Sequence, residues 1–324
     1  MPPVDPDVAL GLLKSGFAST PAGIVPSFVR PADAISLELS VRGRTFFYGS
    51  DFGASLAIVN NSTEPLVICD GGLLEGYIRI DAEVTGDIEE RIPQLVVTRI
   101  RPSKPIEPGS SLIVPVKLLT KRLRQILMTY PQASLNIEFT ALLDPVTTPD
   151  GQPANRLVDI PPAKVKVERP AVEITRRYLQ NQFNTISRKG PAKIKAARLF
   201  VGLLKEQHAM ANREPLYKFV YADWMPAMLK SALTRCLADE NWIVRTQTTA
   251  AMASLPLDYE LTSAVAENLQ DDRWPVRLVT LYILSSAQGS DFDKVLDWYA
   301  QNDPESLVRD AAAALRGPGG ETPR

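Results

Sequence analysis

The chain has 324 residues, 45% of them hydrophobic and 23% charged, which excludes disorder as its main state and sets a length prior of about two domains. Its 36 Lys and Arg balance 37 Asp and Glu, so the formal charge is -1 and no global field recruits nucleic acid or an anionic membrane. A single histidine, His208, and two cysteines, Cys69 and Cys236, leave little of the usual equipment for metal, nucleophilic or general-base chemistry.

Residues 1–33 read as a lead-in. Their start, MPPVDPDVALGLLKSGF, has two aspartates before the first lysine and no apolar block long enough for a secretory signal. No stretch reaches the roughly 20 apolar residues of a membrane span, so a cytoplasmic protein without membrane contact is expected. In that compartment the sequons of Asn60-Asn61-Ser62-Thr63 are simply a turn. Cys69, in the apolar run LVIC, and Cys236, in a helical pattern, are then expected to be buried reduced thiols.

Residues 34–170 break into short β-type runs: 34–41, 55–60, 66–70, 76–84, 94–101, 111–118, 135–143 and 163–168. Alternation with a period of two is clear in Ile35, Leu37, Leu39, Val41 and in Ile78, Ile80, Ala82, Val84, which predicts strands with one buried face each. Turn chemistry separates them at Asn60-Asn61-Ser62, Asp70-Gly71-Gly72, Pro108-Gly109 and Pro149-Asp150-Gly151. Strands at this spacing, without helices long enough for crossovers, predict an antiparallel β-sandwich. The phrases NNSTEPLVI and IEPGSSLIVPV resemble immunoglobulin-like bacterial sandwich modules, which implies a non-catalytic unit that binds or positions its neighbour. One segment departs from this pattern: Leu118, Leu119, Leu123, Ile126 and Leu127 have helical spacing and predict a short amphipathic helix within 116–130.

After Pro170 the period becomes 3.6. Val172, Leu179, Phe183 and Ile186 predict a helix ended by Gly190-Pro191, and Ile194, Ala197, Val201 and Leu204 a second one. An internal repeat follows. Arg245, Arg277 and Arg309 are spaced by 32 residues, each preceded by a valine and each six positions after an aspartate, Asp239, Asp271 and Asp303. Trp242 and Trp274 share a further register, in which the third copy has Ser306. Arg213 also falls 32 positions before Arg245, without the accompanying Asp or Val.

The segments DENWIVRTQTTAAMASL, DDRWPVRLVTLYILSSA and DPESLVRDAAAAL resemble the HEAT-repeat family. The resemblance implies antiparallel helix pairs whose turn aspartates and second-helix arginines form a ladder between neighbouring repeats. The fold class that results is two-domain, an immunoglobulin-like β-sandwich (34–170) followed by a short HEAT-like α-solenoid (171–316). Leu307, Val308, Ala311, Ala312 and Leu315 then form the core side of a terminal capping helix, and 317–324 a disordered tail.

No phosphate loop, paired histidines, CxxC or G-x-S-x-G motif is present, and Asp51-Phe52-Gly53 stands without the other kinase elements. Glu89-Glu90 and Asp271-Asp272 read as a strand edge and a repeat turn, and His208 as solvent-exposed. The near-neutral total conceals an asymmetry. Residues 174–205 carry eight basic groups (Arg176, Arg177, Arg188, Lys189, Lys193, Lys195, Arg198, Lys205) and no acidic one, whereas 206–324 carry 11 basic and 17 acidic groups. These basic helices read either as a solvated face docked on its acidic neighbour or as an anion or nucleic-acid contact. The function expected is therefore a non-enzymatic scaffold or adaptor for another protein, needing no cofactor. The runner-up is nucleic-acid or phosphate binding through 176–198, and a third reading is an accessory subunit of a larger enzyme.

Overall fold

The computed structural model describes residues 34–316 apart from 158–159, 189, 212–216, 218 and 289–291. The lead-in, the tail, Lys189 and Arg213 lie outside the described residues.

The alternating runs become two antiparallel sheets. The first has the order β1-β2-β5, from β1 (Ile35–Val41), β2 (Ala54–Asn60) and β5 (Ser111–Val116). The second has the order β4-β3-β6-β9, from β3 (Tyr77–Gly86), β4 (Glu90–Arg99), β6 (Leu135–Leu143) and β9 (Ala163–Arg169). Register pairs Leu37 with Ile58 and Leu39 with Leu56 in one sheet, and Ile80 with Ala141 and Ala82 with Phe139 in the other. These residues face each other in one core, each large side chain contributing roughly 1.5–3 kcal/mol of burial. A one-residue slip would turn every one of them to solvent, so the pattern fixes the register. Pro93, which has no N–H for a ladder, lies in β4 at the sheet edge. Beside it Gln94 adopts φ 54°, and its N–H is taken by the Asp81 carboxylate at 2.7 Å where the register shifts.

Several details differ from what the sequence predicts. The run 66–70 forms only isolated bridges, Leu66 to Ile106 and Ile68 to Leu74, because the turn at Gly71-Gly72 folds it back on itself. Ile68 is buried and Cys69 is exposed, not buried; Cys236 is buried, and both thiols are free. Pro149-Asp150-Gly151 sits in the loop of a hairpin between β7 (Pro145–Thr147) and β8 (Pro153–Asn155), three-residue strands too short to display a period.

The described residues hold nine α-helices: α1 (Lys121–Thr129), α2 (Arg176–Ile186), α3 (Ala192–Met210), α4 (Met225–Leu237), α5 (Trp242–Ala251), α6 (Tyr259–Glu267), α7 (Trp274–Gln288), α8 (Asp293–Asn302) and α9 (Ser306–Leu315). Thr175, Asn241 and Asp258 cap α2, α5 and α6 by accepting the N–H groups of Tyr178, Ile243 and Leu261. Val172 precedes α2 instead of belonging to it. Helix α3 is buried on most sides, through Ala196, Ala197, Leu199, Phe200, Val201, Leu203 and Leu204, and it touches α1, α2, α4 and α5.

The chain is therefore mixed α and β, not an all-β sandwich followed by an all-α solenoid. Nine strands in three sheets share their surroundings with the helices, and each half contributes to the other's core. Helix α1, within the strand half, packs on α3. Met210, Tyr217 and Phe219 join the core of the sheets, while Tyr48 joins that of the helices. Periodicity could reveal the elements but not which elements share an interior.

The seam is polar as well as apolar. Arg169, the last residue of β9, donates to the carbonyls of Leu127 (3.1 Å), Tyr130 (2.6 Å) and Ala133 (2.6 Å), at the end of α1 and in the turn that follows it. Glu206 of α3 accepts from the backbone and side-chain N–H groups of Gln132, both at 3.0 Å, and from the Tyr217 hydroxyl. Burial pushes the Glu206 carboxyl above its usual range, against the pull of those donors. The Tyr48 hydroxyl lies between the carbonyls of Met128 (2.9 Å) and Arg198 (3.1 Å). Only a glycine fits opposite it: a Cβ on Gly202 would collide with the Tyr48 hydroxyl and come within 2.8 Å of the Met128 carbonyl.

Candidate functional site

The three repeat copies fall on the helix pairs α4–α5, α6–α7 and α8–α9. Each aspartate stands in the turn between the two helices of its pair, where its carboxylate accepts the N–H two residues on: Asn241 at 3.0 Å, Arg273 at 2.8 Å and Glu305 at 2.9 Å. Each arginine lies one turn into the second helix. From there Arg245, Arg277 and Arg309 donate back to the carbonyls of Asp239, Asp271 and Asp303 at 2.5, 2.7 and 2.6 Å. Two of them also reach the next copy. Arg245 Nε meets Asp271 Oδ2 at 2.6 Å, and Arg277 forks onto both oxygens of Asp303 at 2.7 and 2.8 Å. The Arg277–Asp303 pair is the more enclosed, with side chains 9% and 1% exposed. Burial opposes the Asp303 charge, but Arg277 and the Glu305 N–H hold the carboxyl below its usual range.

The ladder also has a rung that the repeat does not announce. Asp239, which has no repeat arginine before it among the described residues, takes the ammonium of Lys193 from α3.

Trp242 and Trp274 each lie three residues before a ladder arginine and so share its side of the helix. They are 36% and 37% exposed, and Ile243 and Leu307, at equivalent positions, are 43% and 54% exposed. Leu307 therefore does not take the core side of α9. Val308, in register with the buried Val244 and Val276, faces inward with Ala312, and that phase turns Leu307 out.

The structure divides the basic residues of 176–198 rather than gathering them. Lys193 belongs to the ladder, and Arg198 donates to Gln247 at 2.8 Å. Arg176 lies over the Trp224 ring, 5.8 Å from its centroid, while Arg177, Arg188 and Lys195 are exposed. Among the aromatics of this segment, Phe200 is fully buried and Tyr178 and Phe183 are half-buried. No group of three His, Cys, Asp or Glu placed to hold a metal ion occurs among the described residues. His208 is exposed and lines a cleft with Glu89 and Glu90, the latter paired with Arg122 at 2.5 Å. No described helix is long and apolar enough to cross a membrane.

No family model matches the chain, and no curated protein matches it. Among solved structures it is similar to the sporulation control protein Spo0M of Bacillus subtilis, at 12% identity over 48% of this chain and 54% of that one, with a TM-score of 0.24. It is also similar to β-glucuronidase 2 of Bacteroides uniformis, at 9% identity over 67% of this chain and 32% of that one, with a TM-score of 0.19. The chain thus spans about half of the first and a third of the second, and likenesses at these scores carry no argument about fold or function.

Proposed function

We propose that the chain is a non-enzymatic scaffold or adaptor that presents the edge of its stacked helix pairs to another protein in the cytoplasm. The observation that carries this reading is the pair of tryptophans, Trp242 and Trp274, held half-exposed at the same point of successive repeats. Tryptophan is enriched among interface residues that dominate binding energy, and the ladder beneath fixes the spacing between these two. The likeness of the repeat to HEAT repeats supports the same use of the helices. The basic residues support a nucleic-acid surface less well, because Lys193 is already paired with the Asp239 carboxylate within the chain.

Affinity capture from the native host, with the double variant Trp242→Ala/Trp274→Ala beside the wild type, tests the reading. The expected result is a protein partner retained at near-physiological salt by the wild type and lost with the double variant, whose melting temperature stays close to that of the wild type. A partner retained equally by both would refute the assignment of this edge.

A further inference from the structure

A cleft of about 460 Å³ opens where α1, α3 and α5 meet. Three cations line it, Arg124 from α1 and Arg198 and Lys205 from α3, and no Asp or Glu does. Arg198 and Lys205 are two helical turns apart and so share one face of α3. Their partners are neutral: Arg198 donates to the Gln247 amide at 2.8 Å and Lys205 to the carbonyl of Ala251 at 2.9 Å. Neither pairs with a carboxylate among the described residues, and burial pushes the Lys205 ammonium down to about 8. Most cations that line the other clefts face a carboxylate, Arg235 over the Phe183 ring being an exception, and Lys205 itself also borders the neighbouring cleft that holds Glu89 and Glu90. In the cleft beside β3, Arg79 pairs with Asp81 and Arg156 with Glu75, and in the cleft at the first rung Lys193 pairs with Asp239.

Arg198 and Lys205 are half-buried, and half-buried cations without a paired carboxylate are costly unless an anion completes them. We propose that this cleft binds the phosphate group of a small phosphorylated molecule, held by Arg124, Arg198 and Lys205, with the rest of the ligand against the Tyr282 ring. Guanidinium forks match phosphate oxygens in geometry as well as charge. The volume lies within the roughly 300–1,000 Å³ of small-molecule sites. Tyr282 and the small side chains of Ala250 and Ala253 supply the apolar wall. This site is independent of the tryptophan edge.

Calorimetric titration of the full chain with pyrophosphate and with AMP, at near-physiological salt, tests the proposal. Both are expected to bind the wild type, and Arg124→Gln and Lys205→Gln are each expected to weaken them about tenfold, the loss of one charge-assisted contact. Arg124 is exposed, so Arg124→Gln should melt as the wild type does and keep the result independent of folding. Absence of binding by the wild type, or equal affinity in both variants, overturns the proposal. So does binding of a short DNA strand or of phosphatidic-acid vesicles without any response to pyrophosphate.

Discussion

The ladder and the seam both bury charge, and they satisfy it in opposite ways. In the ladder an arginine meets a carboxylate, and the same pair recurs one repeat later. In the seam Arg169 gives its protons to three backbone carbonyls, while Glu206 collects neutral donors from Gln132 and Tyr217. The ion pair of a ladder rung joins two side chains that two substitutions can exchange, although each also bonds backbone, Arg277 at the Asp271 carbonyl and Asp303 at the Glu305 N–H. The seam ties three stretches of backbone to single side chains, and no second substitution repairs the loss of one.

The sharpest contrast comes from Arg169→Met. The buried carbonyls of Leu127 and Ala133 lose their donors at about 1–3 kcal/mol each, while that of Tyr130 keeps the Ala133 N–H, so a loss of ~4 kcal/mol is expected in denaturant unfolding. Asp303→Ala should cost roughly 3 kcal/mol by stranding Arg277, yet the double variant Arg277→Met/Asp303→Leu should recover part of it, the remainder being the Asp271 carbonyl and Glu305 N–H left without their side-chain partners. If the double variant is no better than the single, the rungs are not the exchangeable units described. Gly202→Ala should cost up to ~3 kcal/mol through its collision with the Tyr48 hydroxyl, and Tyr48→Phe in the same chain should return part of that loss.

The smallest effect is a difference in pH slope. Glu206 has its carboxyl raised above the ordinary 4.5, so its proton is held more tightly in the fold, and its contribution is fully present below that value and fades as pH rises through the folded one. Asp303 is lowered from 3.8, so its contribution is present above that value and is lost as pH falls through the folded one. Acidification from neutrality toward 4.5 should therefore favour the wild type over Glu206→Gln. Below 3.8 the difference between the wild type and Asp303→Ala should shrink. Parallel slopes for the two variants would contradict this distinction.

Repetition is what makes the ladder readable from the amino-acid order. Asp239, Asp271 and Asp303 and their arginines announce themselves by keeping one period, and the alternating strands of both sheets do the same on a shorter scale. Tyr48, Gln132, Arg169 and Glu206 each act once, and the Tyr48 hydroxyl finds its acceptors 80 and 150 positions away, so no pattern marks them. Lys193 is hidden for the same reason, since it comes from a helix out of register with the repeat. Glu206 alone carried a signal. It lies on the stripe Leu199, Leu203, Glu206, Met210, where a carboxylate on an apolar face requires buried donors. The failure of the division into all-β and all-α parts belongs here too, for a shared interior is made by such solitary residues and not by periodic ones.

Helix α3 supplies the first rung through Lys193, the close contact with Tyr48 through Gly202, and the seam's carboxylate through Glu206. These positions span about 20 Å along a single helix, at ~1.5 Å per residue. A helix that belongs to both interiors cannot melt with one and stay folded with the other. Heating should therefore show strands and helices lost together in one cooperative transition, with the α3 amides among the slowest to exchange their hydrogens.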